Sequence, residues 1–144
     1  FKYASAFEAG KLSHAPRYPE IALAAIEEMV AQVPVWEEDD EEGLLLKGVI
    51  VRHLVLPGRV EESKRALATL HDRFGSSVRL SIMSQYTPLA SGLERYGLAG
   101  RVTEEEYEEV LDYADSLGVE DYFWQQGDAA QESFVPEFNG EGVR

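Results

Sequence analysis

Residues 48–58 read Gly-Val-Ile-Val-Arg-His-Leu-Val-Leu-Pro-Gly, an apolar run with one arginine near its middle. Its length and β-branched content are those of a buried strand. On a strand, Ile50, Arg52, Leu54 and Leu56 share one face, and Val49, Val51, His53 and Val55 share the other. A buried arginine demands a partner, because stripping one member from a buried ion pair costs about 3–5 kcal/mol. Arg52 therefore has two readings. It ties this strand to a neighbour through an ion pair, or its planar fork faces a ligand carboxylate. Pro57-Gly58 stops the strand and a helical stretch follows. The carboxyl end of a strand, just before a βα loop, is where α/β folds place ligand contacts.

Downstream, the spacing of Val60, Leu67, Leu70 and Phe74 predicts a helix over 59–74, with Gly75 suited to the position after its end. Val78, Leu80 and Ile82 alternate with Arg79, Ser81 and Met83, which predicts a second strand over 78–86. Residues 87–100 form a long loop carrying Gly92, Gly97 and Gly100, and loops of this length are often functional. Thr103 and Glu106 make a capping box for a helix running to about Leu117, with Tyr107, Val110, Leu111, Ala114 and Leu117 inward. Residues 119–125, with Tyr122, Phe123 and Trp124, read as a short last strand. These aromatics and Tyr107 are core, or a cover for an open barrel end.

Upstream, Gly48 reads as a kink or bulge at the entry of a strand that begins near Leu44. The acidic block Glu37–Glu42 reads as a solvated loop. Pro19 opens a helix over 20–33 whose inner face is Ala22, Ile26, Met29, Val30 and Val33, and Pro34 ends it. Residues 10–19 read as loop. Residues 1–7 read as the tail of a strand. The order of alternating strands and helices argues for an α/β fold with parallel strands and right-handed crossovers. Two full strands with covering helices do not close a barrel, so an open sheet edge is expected, and with it a tendency to dimerise. Residues 1–126 form this partial βα domain. Residues 127–144 are a polar tail that packs across the domain or frays.

The chain has 144 residues, 44% hydrophobic and 28% charged, which suits a globular domain with a real core. Its 27 acidic and 13 basic residues give a formal net charge of -14. That balance argues against a nucleic-acid partner, since phosphate contacts need clustered Lys and Arg. No stretch approaches a membrane span and no export signal is visible, so a soluble cytoplasmic protein is expected. Cysteine is absent, which excludes disulfides, thiolate catalysis and cysteine-ligated metal within this chain. His14 and His71 lack partners at ligand spacing. No Gly-x-Ser-x-Gly, phosphate loop, Gly-x-Gly-x-x-Gly or His-Glu-x-x-His motif occurs. His53 points to the helix side of its strand and reads as a packing histidine. Gln85, Tyr86 and Thr87 at the end of the second strand are a capping arrangement or site residues.

Two runs one βα unit apart carry a family resemblance. Arg52-His53-Leu54-Val55-Leu56-Pro57-Gly58 and Ser84-Gln85-Tyr86-Thr87-Pro88 resemble the carboxyl-terminal half of radical S-adenosylmethionine proteins. The subgroup is that of uncharacterised iron–sulfur proteins similar to pyruvate formate-lyase activating enzyme. Phe1-Lys2-Tyr3 is similar to the end of that group's Asp-Phe-Lys-Tyr strand motif. Ser133-Phe134-Val135-Pro136-Glu137-Phe138 and Gly142-Val143 are similar to its ending. The resemblance spans nearly the whole chain.

This resemblance implies the second half of a partial (β/α)6 TIM-like barrel. The family's first half carries a Cys-x-x-x-Cys-x-x-Cys loop holding a [4Fe–4S] cluster, which reduces S-adenosylmethionine to give a 5′-deoxyadenosyl radical. The present chain lacks those cysteines and departs from the pattern there. It is expected to be a fragment supplying the second-half wall of the site, with no cofactor bound and no activity alone. By the same resemblance, Lys2, Arg52 and Leu54 line the S-adenosylmethionine site. Thr87 stands about where activating enzymes have a histidine, and Gln85, on the same face, can replace part of that contact. The partner implied for the parent enzyme is a protein substrate, bearing a glycine as in activating enzymes or differing in this subgroup. The reading from another class is a non-catalytic α/β binding or assembly module.

Overall fold

The computed structural model describes residues 1–39, 41, 44–88, 91–119 and 121–124. The helices are α1 (Ala6–Ser13), α2 (Tyr18–Gln32), α3 (Val60–Phe74) and α4 (Glu104–Ser116). The strands are β1 (Glu37–Glu38), β2 (Leu45–Lys47), β3 (Ile50–Leu54) and β4 (Arg79–Met83). The protein is therefore α/β. The described residues form two small sheets and no closed barrel.

β3 and β4 pair in parallel, with Ile50 opposite Arg79, Arg52 opposite Ser81 and Leu54 opposite Met83. The connection between them is α3, as a parallel pair requires. Phe123 extends the sheet beyond β4: its N–H donates to Leu80 O and its carbonyl accepts from Ile82 N, each at 2.8 Å. On the other side of β3, the Phe1 amine donates to the Arg52 carbonyl.

Period-two alternation then sorts the side chains. Val51 and His53 of β3, and Leu80 and Ile82 of β4, are buried against the helices. Val51, Leu80 and Ile82 join Ile26 of α2, Leu67 and Leu70 of α3 and Val110 and Ala114 of α4 in one core. Leu67, Leu70, Val110 and Ile82 are each fully buried. Burying a side chain of this size is worth about 1.5–3 kcal/mol, so these four anchor the α3–α4 layer. Tyr107 adds a directional tie, its hydroxyl donating to Ile82 O at 2.7 Å.

The opposite face of the sheet is less covered among the described residues. Ile50 and Arg52 are exposed, and Leu54, Ser81 and Met83 are half-buried, with Leu54 packed on the small cluster of Tyr3, Ala9, Leu56 and Leu98. Parallel sheets are ordinarily covered on both faces; here the described residues cover one fully and the other only at the end of β3.

The helix ends follow their sequence signals. Thr103 Oγ1 accepts from Glu106 N at 3.2 Å while Glu106 Oε2 accepts from Thr103 N at 3.0 Å, the reciprocal capping box. The other oxygen of Glu106 accepts from Gly58 N at 2.7 Å and so fixes the loop after β3 to the start of α4.

Several expectations are corrected. The run from Leu44 to Leu56 is two strands, because the chain turns at Gly48 (φ 154) and β2 joins the other sheet. Glu37 and Glu38, read as loop, form β1 and pair antiparallel with β2. The Trp36 ring packs directly against Gly48, where a Cβ would overlap Cε3, so the absence of a side chain at 48 lets the hairpin fold back. Asp40, Glu42 and Gly43 of the acidic stretch lie outside the described residues.

Residues 6–13 are a helix, not strand tail and loop. Ser5 caps it by accepting from Glu8 N at 3.1 Å. The Ser5-x-x-Glu8 pattern was the available signal. Met29, placed inward by spacing, is 51% exposed, and Leu23 packs on the core instead. The second strand is shorter than 78–86, ending at Met83. Of the expected strand 119–125, the described residues show one bridge, at Phe123, and Glu120, Gln125 and the tail 127–144 lie outside the described residues.

Candidate functional site

The less covered sheet face and the rim at the carboxyl ends of β3 and β4 hold the residues singled out from sequence. Arg52 is not buried, contrary to the reading of its strand as buried throughout. Its side chain is exposed, so solvent screens the guanidinium, while Leu54 on the same face packs beside α1 on the cluster of Tyr3, Ala9, Leu56 and Leu98. Arg52 Nη2 donates to the sulfur of Met83 at 2.8 Å across the β3–β4 pair. Among the described residues no carboxylate pairs with it, so the ion-pair reading of Arg52 has no support in the structure. Gln85 approaches the same sulfur, its Nε2 at 3.8 Å. Met83 thus bridges Arg52 and Gln85.

Lys2 and Leu54 line a second feature, a small recess between α1, the end of β3 and the first turn of α3. Tyr3, Leu12 and Leu56 give it apolar walls; Glu8, Arg59 and Glu62 give it charge. The Lys2 ammonium lies 5.6 Å from the centroid of the Tyr3 ring. Thr87 is half-buried on the loop after β4 and shares neither the Met83 contact nor the recess. The structure therefore joins Arg52 to Gln85 and Lys2 to Leu54, and leaves Thr87 apart.

Sequence reading missed Glu8, Arg59 and Glu62. Arg59 Nε donates to Glu8 Oε2 at 3.0 Å, with the two side chains 19% and 14% exposed. Its Nη2 donates to Tyr96 O at 2.8 Å and its Nη1 to Gly58 O at 2.9 Å. One guanidinium thus links α1, the loop after β3 and the loop after β4. Tyr86 closes the same corner, its hydroxyl donating to Leu98 O at 2.9 Å. Tyr3, Ala9, Leu56 and Leu98 form a small apolar cluster beneath it. The position of Arg59 directly after Pro57-Gly58, where βα loops begin, was the signal that could have found it.

His53 faces the opposite way from Arg52, as alternation requires. It is 1% exposed, and its Nδ1–H donates to Phe1 O at 2.8 Å. Burial pushes its pKa down to about 4, so it is neutral near pH 7. It is packed as expected, but only one ring nitrogen is satisfied: Nε2 is buried with no hydrogen-bond partner among the described residues. A larger cavity, about 220 Å³, lies at the other end of β4, between the carboxyl ends of α3 and α4. None of the five residues expected from sequence lines it.

Among the described residues no group of three or more His, Asp or Glu side chains is placed to hold a metal ion, and no helix is long and apolar enough to cross a membrane. Comparison with protein-family models, with curated proteins and with solved structures finds no match to this chain.

Proposed function

We propose that this chain is the second-half wall of a radical S-adenosylmethionine enzyme similar to pyruvate formate-lyase activating enzyme. The observation that supports this most is the unequal cover of the sheet. A parallel sheet with its main helix layer on one face, and on the other an exposed arginine that no described carboxylate pairs with, has the layout of a barrel wall, helices outside and ligand inside.

The residues present suit part of the implied chemistry and not the rest. A [4Fe–4S] cluster needs thiolates, and this sequence has no cysteine, so the cluster does not fit this chain. The methionyl end of S-adenosylmethionine does fit. Its carboxylate suits the fork of Arg52, and Lys2 adds a second cation at the same end of the sheet. Leu54 and Met83 offer apolar and sulfur surface beside them, and Gln85 offers an amide. The bound cofactor supplies the radical chemistry; this chain orients it and excludes water from one side. On this reading Thr87 lies nearest the nucleoside, the parent acts on a partner bearing a glycine, and the compartment is the cytoplasm.

A second reading is a non-catalytic assembly module that pairs through its open sheet. It rests on the exposure of Ile50, Phe123 and Trp124, at 41%, 50% and 53%, on or beside the less covered sheet face. One experiment separates the two. S-adenosylmethionine is titrated into the chain joined to the segment that supplies the cluster cysteines, with and without Arg52→Ala. The enzyme reading expects affinity to fall about tenfold or more, equivalent to ~1.4 kcal/mol. Unchanged affinity, with a concentration-dependent dimer of the wild-type chain, favours the assembly module.

A further inference from the structure

The backbone of residues 1 to 5 runs beside β3, yet side chains from elsewhere hold much of it. The Phe1 carbonyl accepts from His53 Nδ1 at 2.8 Å. The Lys2 N–H donates to the Tyr18 hydroxyl at 2.8 Å. The Ala4 and Ser5 N–H groups both donate to Glu62 Oε1, at 2.8 and 2.7 Å. Edge segments are ordinarily held by a strand ladder. Here two buried polar side chains, His53 at 1% and Glu62 at 3% exposure, take over part of that task.

Glu62 is built for it. A carboxylate so deeply buried is costly unless its lone pairs are filled. Two backbone N–H groups fill one oxygen, and Arg65 fills the other from Nε at 3.1 Å and Nη2 at 2.8 Å. The amino-terminal end of α1, which begins one residue after Ser5, adds favourable partial charge. On the other flank, His53 offers a neutral Nδ1–H donor that matches a carbonyl. Lys2 sits between the two anchored points, its ammonium over the ring of Tyr3. That ring is itself fixed through its hydroxyl to Ser13 Oγ at 2.9 Å.

We propose that Glu62 and His53 are positioning residues that clamp residues 1–5 on both sides of Lys2, so that its ammonium is presented to an anionic ligand group at the rim shared with Leu54. The clamp is a feature of this chain alone; its consequence for ligand binding rests on the function proposed above.

The test uses the full chain and two readouts. In amide hydrogen exchange, Glu62→Ala is expected to speed exchange at Ala4 and Ser5 at least tenfold while β4 keeps its protection. Glu62→Gln, whose carboxamide oxygen still accepts both N–H groups, is expected to restore slow exchange. Loss of protection spread through β3 and β4 makes Glu62 a general core residue and overturns the clamp. In titration of S-adenosylmethionine into the chain joined to the segment that carries the cluster cysteines, Glu62→Ala is expected to weaken binding by the same factor as Lys2→Met, and the double variant no further. A double variant weakened by the product of the two factors overturns positioning through Lys2. If the wild-type chain, joined to the segment that carries the cluster cysteines, takes up no S-adenosylmethionine, the proposed function falls, and the exchange pattern alone still decides the clamp.

Discussion

Arg52 and Met83 meet across the parallel pair, guanidinium nitrogen to thioether sulfur at 2.8 Å, on the sheet face turned away from the main core. A sulfur is a weak acceptor, so this contact orients the arginine without neutralising it. The charge stays available. Arg52→Ala should therefore leave stability within about 0.5 kcal/mol of wild type, as for other surface changes. Urea denaturation measures this. A loss of several kcal/mol would show that the arginine carries structural load the geometry does not reveal.

Gly48 and Trp36 form the joint between the two sheets. A Cβ at position 48 would stand 2.4 Å from Cε3 and 2.8 Å from Cζ3 of the indole, and φ at Gly48 is 154°. The indole is also held by its Nε1–H to Glu38 Oε1 and stacks on Arg79. Gly48→Ala must expel the ring. The expected cost is about 1–3 kcal/mol, typical of forced overpacking. In a Trp124→Phe background the emission of Trp36 should shift to the red. Unchanged emission would mean the strand absorbs the methyl group.

His53 predicts a pH dependence. Its pKa is lowered from 6.5 to about 4 in the fold, chiefly by burial. Between those values the unfolded chain holds a proton that the folded chain does not, so stability falls as pH is lowered through this window. Above about pH 6.5 its contribution is complete, and below about pH 4 it changes no further. Glu62 is the charged side chain that acts on it, favouring protonation against the larger effect of burial. The stability advantage of wild type over His53→Gln should shrink by about 3 kcal/mol between pH 7 and pH 4. A constant gap across that range would show that the imidazole titrates normally.

Tyr107 ties α4 to β4 through a buried hydroxyl. Tyr107→Phe keeps the ring and removes the donor to Ile82 O. A loss of about 1–2 kcal/mol is expected, the usual price of removing one buried hydrogen bond. Thermal unfolding followed by circular dichroism measures it. An unchanged midpoint would mean water replaces the hydroxyl.

Some of this protein was written locally, in signals a few residues long. The Thr103–Glu106 capping box, the alternation of Val78, Leu80 and Ile82, and the inner face Leu67, Leu70 and Phe74 depend on near neighbours and on the periods of helix and strand. They appear in the structure as read. The separation of Arg52 from His53 onto opposite faces is of the same kind. What the sequence could not decide was which face would be covered, because coverage depends on where three helices land. The burial of Arg52 was misjudged for that reason. Likewise Glu37 and Glu38 could pair as a strand because Gly48 leaves room for the Trp36 ring, and Glu62, an ordinary first-turn glutamate in the sequence, became an anchor only because α3 brought it to Ala4 and Ser5, more than fifty residues away. Local preference selects the elements; long-range burial and hydrogen-bond satisfaction select the partners.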